Sequence, residues 1–206
     1  MRRRDVFQIG AAWTASLVDG RLLFAGQQSA ERSAPVSAAQ VIDDLVAANR
    51  ILAKEGIVDG YGHVSARHPG AAGRFYLARS VAPQSVTAAD IMEYDLDAMP
   101  IDARGRMSYL ERFIHSEIYR VRRDVHAVVH CHTPSLIPFA DSSVPLRAMY
   151  HQSAFVAEGI PVFEIRSVAG MTDLLVKNAR LGAALARVLS DKPAALMRGH
   201  GAVVVG

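Results

Sequence analysis

Three histidines have the spacing of metal ligands. His130 and His132 stand two positions apart in an apolar run typical of a β-strand, so both imidazoles project from one face while Cys131 points away. His200 lies between two glycines, where a sharp turn can bring a third imidazole to the pair. Three neutral nitrogens with an open position favour a catalytic divalent ion, zinc first and manganese or cobalt as alternatives. The alternative is that all three are ordinary polar residues of a strand and a turn.

Glu111 is the candidate acid/base. It stands four positions before His115 in a helix predicted from Ser108 to Arg122, so these two side chains share a helix face. If that face is directed at the ion, Glu111 can move a proton or add a fourth ligand. Ser108-x-x-Glu111 also fits a capping box, in which the carboxylate would bind the helix start. The two roles require different side-chain rotamers.

Four further residues are candidates for substrate binding. His63 and Ser65 follow a glycine-rich turn whose backbone N–H groups can hold an anion. Arg79 and Ser80 follow an apolar strand, and a guanidinium group can bind a carboxylate through two parallel hydrogen bonds. A plain hairpin turn and a surface arginine explain the same residues without a ligand.

The elements that must position these residues alternate between helix and strand. Hydrophobic periodicity and turn residues predict helices at 38–55, 86–91, 108–122 and 172–189 and strands at 63–65, 75–78, 126–132, 161–165, 194–198 and 202–205, with a strand, turn and strand over 95–105. No nucleotide-binding glycine fingerprint accompanies them. The pattern therefore predicts an α/β fold with a mixed, largely antiparallel sheet.

The composition fits one globular domain. The chain has 206 residues, half of them hydrophobic, which is enough to bury a single core. Its net charge of +3 is spread without a long run of either sign, which argues against nucleic acid as the main partner. The single cysteine cannot form an internal disulfide. No stretch approaches the roughly 20 apolar residues of a membrane span.

Residues 1–37 differ from the rest and are predicted to form a tail in front of a domain at 38–206. Residues 3–7, Arg-Arg-Asp-Val-Phe, resemble a twin-arginine export signal, and a mildly apolar segment follows. Asp19 and Arg21 interrupt that segment, and no clear cleavage site follows it. We expect export to the periplasm, and the alternative is an ordinary basic tail on a cytoplasmic protein.

Together these motifs resemble the class II aldolase/adducin family. Gly-His63-Val-Ser65, the helix start at 111–115, His130-x-His132 and Gly-His200-Gly occur in its order and approximate spacing over about residues 38–206. The resemblance implies an α/β/α sandwich around a central, mostly antiparallel sheet, a three-histidine divalent metal site and a catalytic glutamate at Glu111. It also implies a homotetramer with sites between subunits. Because the family normally continues for a helix or two beyond residue 206, we expect this domain to be truncated at its C-terminus.

Departures from the sugar-phosphate members indicate a particular branch. Members such as L-fuculose-phosphate aldolase have an asparagine where this chain has His63, and a Thr-Gly or Ser-Gly phosphate loop where it has Arg79-Ser80. The present residues more closely resemble the decarboxylase branch, which acts on hydroxylated aromatic or pyridine dicarboxylates.

The sequence as a whole predicts a metal-dependent carbon–carbon lyase. Its small carboxylate or carbonyl substrate would react through a metal-stabilised enolate, with Glu111 as the acid/base. The alternatives are a sugar-phosphate aldolase or epimerase of the same family and a non-catalytic adducin-like interaction module.

Overall fold

A computed structural model describes residues 14–18, 21–25 and 36–206 of the chain. The chain divides into two units, Met1–Pro35 and Val36–Gly206. In the first unit, β1 (Thr14–Val18) and β2 (Arg21–Ala25) pair as an antiparallel hairpin. The twin-arginine motif lies outside the described residues, so export stays a prediction.

A seven-stranded sheet forms the centre of the second unit. Its strands are β3 (His63–Arg67), β4 (Arg74–Ala78), β5 (Ile91–Asp95), β6 (Ala127–Cys131), β7 (Val162–Phe163), β8 (Ala194–Met197) and β9 (Gly201–Val205). Their order is β5-β4-β3-β6-β9-β8-β7, and every neighbouring pair is antiparallel except the parallel pair β7 and β8. The predicted mixed, mostly antiparallel sheet is confirmed.

Helices cover both faces of this sheet. They are α1 (Ala38–Lys54), α2 (Arg112–Val121), α3 (Ile137–Asp141), α4 (Arg166–Ala169) and α5 (Ala179–Leu189). The α2 helix lies on the face that carries His63 and His130, which are cross-strand partners. α5 packs against α2 on this side, where a Cβ at Gly182 would clash with the Phe113 carbonyl oxygen. Glycine therefore permits this close approach.

The opposite face is covered by α1 and α3. Cys131 and Leu196 lie there in an apolar cluster with Ala140 of α3 and, at its edge, Leu52 of α1. Because side chains alternate along a strand, this cluster is separated from the face that carries His130. The predicted α/β/α sandwich is thus confirmed. No helix in the described part of the chain is long and apolar enough to span a membrane.

Three predicted helices differ from the structure. The helix predicted at 108–122 begins only at Arg112. The segment 86–91 forms a single 3-10 turn, Ala88–Asp90, because the Asp90 carboxylate accepts the Thr87 N–H and hydroxyl and a strand begins directly afterwards. The helix predicted at 172–189 begins only at Ala179. Asn178 caps it by accepting the Leu181 N–H, and the preceding residues form a loop that contributes to the site described below.

Two predicted strands are also shorter than expected. Only Val162–Phe163 of the segment 161–165 is strand, because Ile165 already precedes α4. After β5, the chain makes one isolated bridge, Tyr94 to Pro100, and no further strand follows before α2. The Asp95 carboxylate accepts the N–H groups of Asp97 and Met99, so the residues after β5 form a tight turn.

Candidate active site

Three adjacent segments of the sheet bring the predicted histidines together. His130 is on β6, His132 lies just beyond its end, and His200 occupies the turn that connects β8 to β9. β9 pairs with β6, which carries the turn to the two other histidines. A Cβ at Gly201 would clash with the Cys131 carbonyl oxygen, so only glycine allows this approach.

The three Nε2 atoms and one carboxylate oxygen converge on a common point. Nε2 of His132 lies 3.0 Å from Nε2 of His130 and 3.2 Å from Nε2 of His200. Oε2 of Glu111 lies 3.5 Å from His130 Nε2 and 3.4 Å from His200 Nε2. One ligand atom from each of the four residues lies within 4.8 Å of the others. The predicted set of three histidines and Glu111 is therefore brought together.

The partners of the other ring nitrogens determine two of the tautomers. Nδ1 of His130 lies 3.1 Å from the Ala202 carbonyl oxygen, which can only accept, so Nδ1 carries the hydrogen. Nδ1 of His132 lies 3.1 Å from the Asp59 carboxylate and donates to it. In the neutral rings, both Nε2 atoms then present lone pairs to each other at 3.0 Å. Such an arrangement is repulsive without a cation between the two atoms.

The spacing of the donor atoms also fits a metal ion. A tetrahedral zinc ion with metal–nitrogen bonds of about 2.0–2.1 Å needs ligand atoms about 3.3 Å apart. The closest contacts in the cluster are 3.0–3.5 Å. Imidazole nitrogens with one carboxylate suit zinc, manganese or cobalt. Nδ1 of His200 is buried and has no hydrogen-bond partner among the described residues.

Glu111 is directed into this cluster and does not cap α2. It stands at the N-cap position, but its side chain makes no capping hydrogen bond, so the capping-box alternative is wrong. The Val176 N–H donates to Oε1 at 2.8 Å, which leaves Oε2 facing the histidines. Burial raises the pKa of Glu111, but His130 and His200 lower it through hydrogen bonds and favourable charge interactions that operate when their rings are protonated on Nε2, and the net pKa lies below its usual range.

A pocket of about 470 Å³ opens over the cluster. Its lining includes Glu111, His132 and His200, together with two of the predicted substrate-binding residues, His63 and Ser80. The remaining wall is aromatic and aliphatic and consists of Tyr61, Tyr109, Leu110 and Leu175. The cluster of histidines and Glu111 is therefore accessible from a cavity of the size of a small organic molecule.

His63 and Ser65 have different positions relative to this pocket. His63 lies on the wall, with Nδ1 2.6 Å from Nε2 of His115. Ser65 is fully buried behind it, where its hydroxyl contacts His115 and Tyr119. The structure thus corrects the prediction that Ser65 contacts substrate, because its hydroxyl is fully used inside the protein. His115 is a buried helix histidine that does not belong to the cluster formed by Glu111, His130, His132 and His200.

Arg79 does not line the pocket. Its Nε donates to the Asp90 carboxylate at 2.5 Å, and the side chain is 39% exposed. The Asp90 carboxylate is itself held by Thr87. This ion pair occupies Nε of Arg79, whose role as a substrate carboxylate ligand stays a prediction, whereas its neighbour Ser80 lies on the pocket wall.

Six residues of the site were missed by sequence reasoning. Asp59 binds His132, Val176 binds Glu111, and the pocket is also lined by Tyr61, Tyr109, Leu110 and Leu175. Oδ1 of Asp59 also accepts the N–H groups of Tyr61 and Gly62, at 2.9 and 2.8 Å. An aspartate just before a glycine turn is the one signal that indicates such a backbone contact, but it does not indicate the contact with His132.

The fold and the site together define an α/β/α domain with a cluster of three histidines and one glutamate, suited to hold a metal ion, at the end of its central strands. A family profile described as the class II aldolase and adducin N-terminal domain matches residues 43–206. The chain belongs to the class II aldolase and adducin family.

Two proteins with similar sequences are named as decarboxylases. Decarboxylase tropJ of Talaromyces stipitatus is 36% identical over 76% of this chain and 64% of its own length. The 3,4-dihydroxyphthalate decarboxylase of Arthrobacter keyseri is 30% identical over 81% of this chain and 69% of its own length. The chain thus spans about two thirds of the length of these relatives.

Solved structures share the fold. The L-fuculose 1-phosphate aldolase from Glaciozyma antarctica is 26% identical, with a TM-score of 0.67, over 84% of this chain and 69% of that one. An aldolase II superfamily protein from Pseudomonas syringae is also 26% identical, with a TM-score of 0.69, over 85% of this chain and 68% of that one. These relatives support a lyase, and the homotetramer stays a prediction.

Proposed function

We propose that the protein is a divalent-metal-dependent carbon–carbon lyase that decarboxylates a hydroxylated, preferably aromatic, carboxylic acid. The observation that carries this proposal is the convergence of three imidazole Nε2 atoms and one carboxylate oxygen at a pocket. The names of the two decarboxylase relatives support the reaction type.

The pocket wall favours an aromatic acid over a sugar phosphate. Two tyrosines and two leucines form much of it, which suits a flat apolar ring. Among the described residues that line it, none is a lysine or an arginine. A phosphate group would therefore lack the cationic side chains that usually hold it.

Each site residue has a distinct task in this reaction. His130, His132 and His200 would hold the ion, with two of them oriented by the Ala202 carbonyl and by Asp59. A bound divalent ion supplies a Lewis acid that stabilises negative charge on substrate oxygens when the carbon–carbon bond breaks.

Glu111 would move the proton. Because its pKa is held low, it is a carboxylate in the free protein and first accepts the proton of the substrate hydroxyl. The Val176 N–H fixes Oε1, so Oε2 is the atom that exchanges this proton. As CO2 departs, Glu111 returns the proton to the ring carbon, and a solvent proton restores the hydroxyl of the product.

The test combines product detection with two variants. A panel of hydroxybenzoates and hydroxyphthalates is assayed for CO2, and a panel of free and phosphorylated ketoses for aldehyde. We expect CO2 from the first panel, loss of turnover with retained metal in Glu111→Gln, and loss of both in His132→Ala. Full turnover by Glu111→Gln would refute its role, and aldehyde release from a ketose would favour an aldolase.

The non-catalytic alternative has a separate signature. An adducin-like interaction module needs no metal, so it predicts purified protein that binds no divalent ion and turns over neither panel.

A further inference from the structure

We propose that His63 presents a neutral N–H group to a substrate oxygen and that a buried hydrogen-bond chain through His115, Ser65 and Tyr119 determines this tautomer. The inference rests on the proposed function only in treating the pocket as the substrate site. It assigns a positioning role to three residues that touch neither the pocket nor the metal cluster.

The hydrogen-bond chain runs from the interior to the pocket through three short contacts. The Tyr119 hydroxyl lies 2.8 Å from Ser65 Oγ, which lies 2.6 Å from Nδ1 of His115. Nε2 of His115 in turn lies 2.6 Å from Nδ1 of His63. All four residues are buried, with at most 1% of each exposed. Water therefore does not compete for these contacts, and the direction of each bond depends on its neighbour.

The Tyr119 end of the chain determines its direction. The phenol can donate to Ser65 Oγ at 2.8 Å or to the His126 carbonyl oxygen at 3.5 Å. The first is a normal O–H···O distance and the second is too long for a good hydrogen bond. If Tyr119 donates to Ser65, the hydroxyl hydrogen of Ser65 is left with Nδ1 of His115 as its acceptor among the described residues. The hydrogen of His115 is consequently on Nε2, and it is donated to Nδ1 of His63.

This direction leaves the hydrogen of His63 on Nε2. That atom has no hydrogen-bond partner among the described residues, yet it is not among the buried polar atoms that lack one. Since His63 lines the pocket, Nε2–H is the group it presents there. The opposite chain direction would present a lone pair, which repels the oxygens of a carboxylate or a carbonyl.

A neutral donor suits a position next to a cation site. The rings of His63 and His130 are 5.1 Å apart, so an imidazolium at His63 would be repelled by a bound divalent ion. A neutral N–H can still recognise a substrate oxygen that accepts hydrogen bonds. The buried chain thus provides selectivity for an acceptor oxygen without adding charge to the pocket.

The test is to measure the tautomer by NMR. In protein labelled with ¹⁵N-histidine and saturated with zinc, long-range ¹H–¹⁵N correlations show which ring nitrogen carries hydrogen, and His63→Gln assigns the signals. We expect the Nε2–H form of His63 in the unaltered protein. Ser65→Ala interrupts the chain and should produce a mixture of both forms, and Tyr119→Phe, which removes only its first donor, should shift the signals in the same direction.

Ser116→Ala is the matched control. Ser116 follows His115 on the same helix and is equally buried, but its hydroxyl has no partner among the described residues. This variant should leave the His63 signals unchanged. A hydrogen on Nδ1 of His63 in the unaltered protein, or an unchanged tautomer in both chain variants, would overturn the inference. Because the measurement involves no substrate, its failure is distinguishable from failure of the proposed decarboxylation.

Discussion

Replacing Asp59 tests how much its hydrogen bond to His132 contributes to the affinity for a metal ion. Asp59 accepts the Nδ1–H of His132 and is itself fixed by the N–H groups of Tyr61 and Gly62. It therefore orients the ring and increases the basicity of the nitrogen that would bind metal. We expect Asp59→Ala to weaken zinc binding without removing a ligand.

The size of the effect follows from the kind of hydrogen bond that is lost. A hydrogen bond to a charged group contributes about 1.5–3 kcal/mol, but the Asp59 side chain is 50% exposed, which places this bond toward the lower end. Loss of such a partner typically weakens metal binding about 10- to 100-fold, and we expect about tenfold here. Asp59→Asn keeps a neutral acceptor for the same three donors and should lose roughly half of that free energy, or about threefold in affinity.

Competition for zinc against a chromogenic chelator provides the assay. Asp102→Ala is the control, because it removes the same charge from an exposed side chain that pairs with Arg104 and has no contact with the cluster. The expected order of affinity is unaltered protein and Asp102→Ala first, then Asp59→Asn, then Asp59→Ala. A zinc affinity of Asp59→Ala equal to that of the control would refute the claim that the hydrogen bond from Asp59 to His132 strengthens metal binding.

Other contacts predict changes in stability. Gly201→Ala places a Cβ against the Cys131 carbonyl and should lower the free energy of unfolding by about 1–3 kcal/mol in urea denaturation, while an unchanged midpoint would contradict the close approach of β9 to β6. Arg67 donates to four carbonyl oxygens, so Arg67→Ala should cost about 3–4 kcal/mol in the same assay, and a loss below about 1 kcal/mol would count against that network. Chelation with EDTA should lower the melting temperature and zinc should restore it, because a ligand at about 1,000 times its Kd stabilises the folded protein by about 4 kcal/mol. The His132→Ala variant should show neither change.

The sequence predicts the parts of the site that depend on local geometry. The two-residue period of a strand places His130 and His132 on one face, and the glycines around His200 indicate a turn. Those patterns do not show that this turn lies beside β6. That depends on the pairing of β9 with β6, which joins residues more than seventy positions apart.

The remaining parts depend on contacts that spacing does not reveal. The choice between two roles for Glu111 is decided by the Val176 N–H, in a segment whose apolar spacing had predicted helix. Ser65 lies at the same sheet position whether it contacts substrate or supports His63, and only the packing of α2 behind it distinguishes these roles. Asp59 and His132 are 73 positions apart, and neither residue type indicates the other.

The fold was predictable because helix and strand patterns alternate along the chain. The errors in the predicted element boundaries have local causes. Asp90, Asp95 and Asn178 each end or shorten an element because their side chains accept backbone N–H groups. Such contacts compete with regular structure over three or four residues. Hydrophobic periodicity averages over longer windows, so it does not detect them.

The central claim is that three imidazoles, with Glu111 beside them, hold one divalent ion. The most direct measurement is the zinc content of purified protein after dialysis against metal-free buffer, by mass spectrometry of the element, for the unaltered chain and for His132→Ala. The account predicts one ion per chain in the first and none in the second. An unaltered protein that retains no zinc, manganese or cobalt after loading, or a His132→Ala protein that retains a full equivalent, would contradict it.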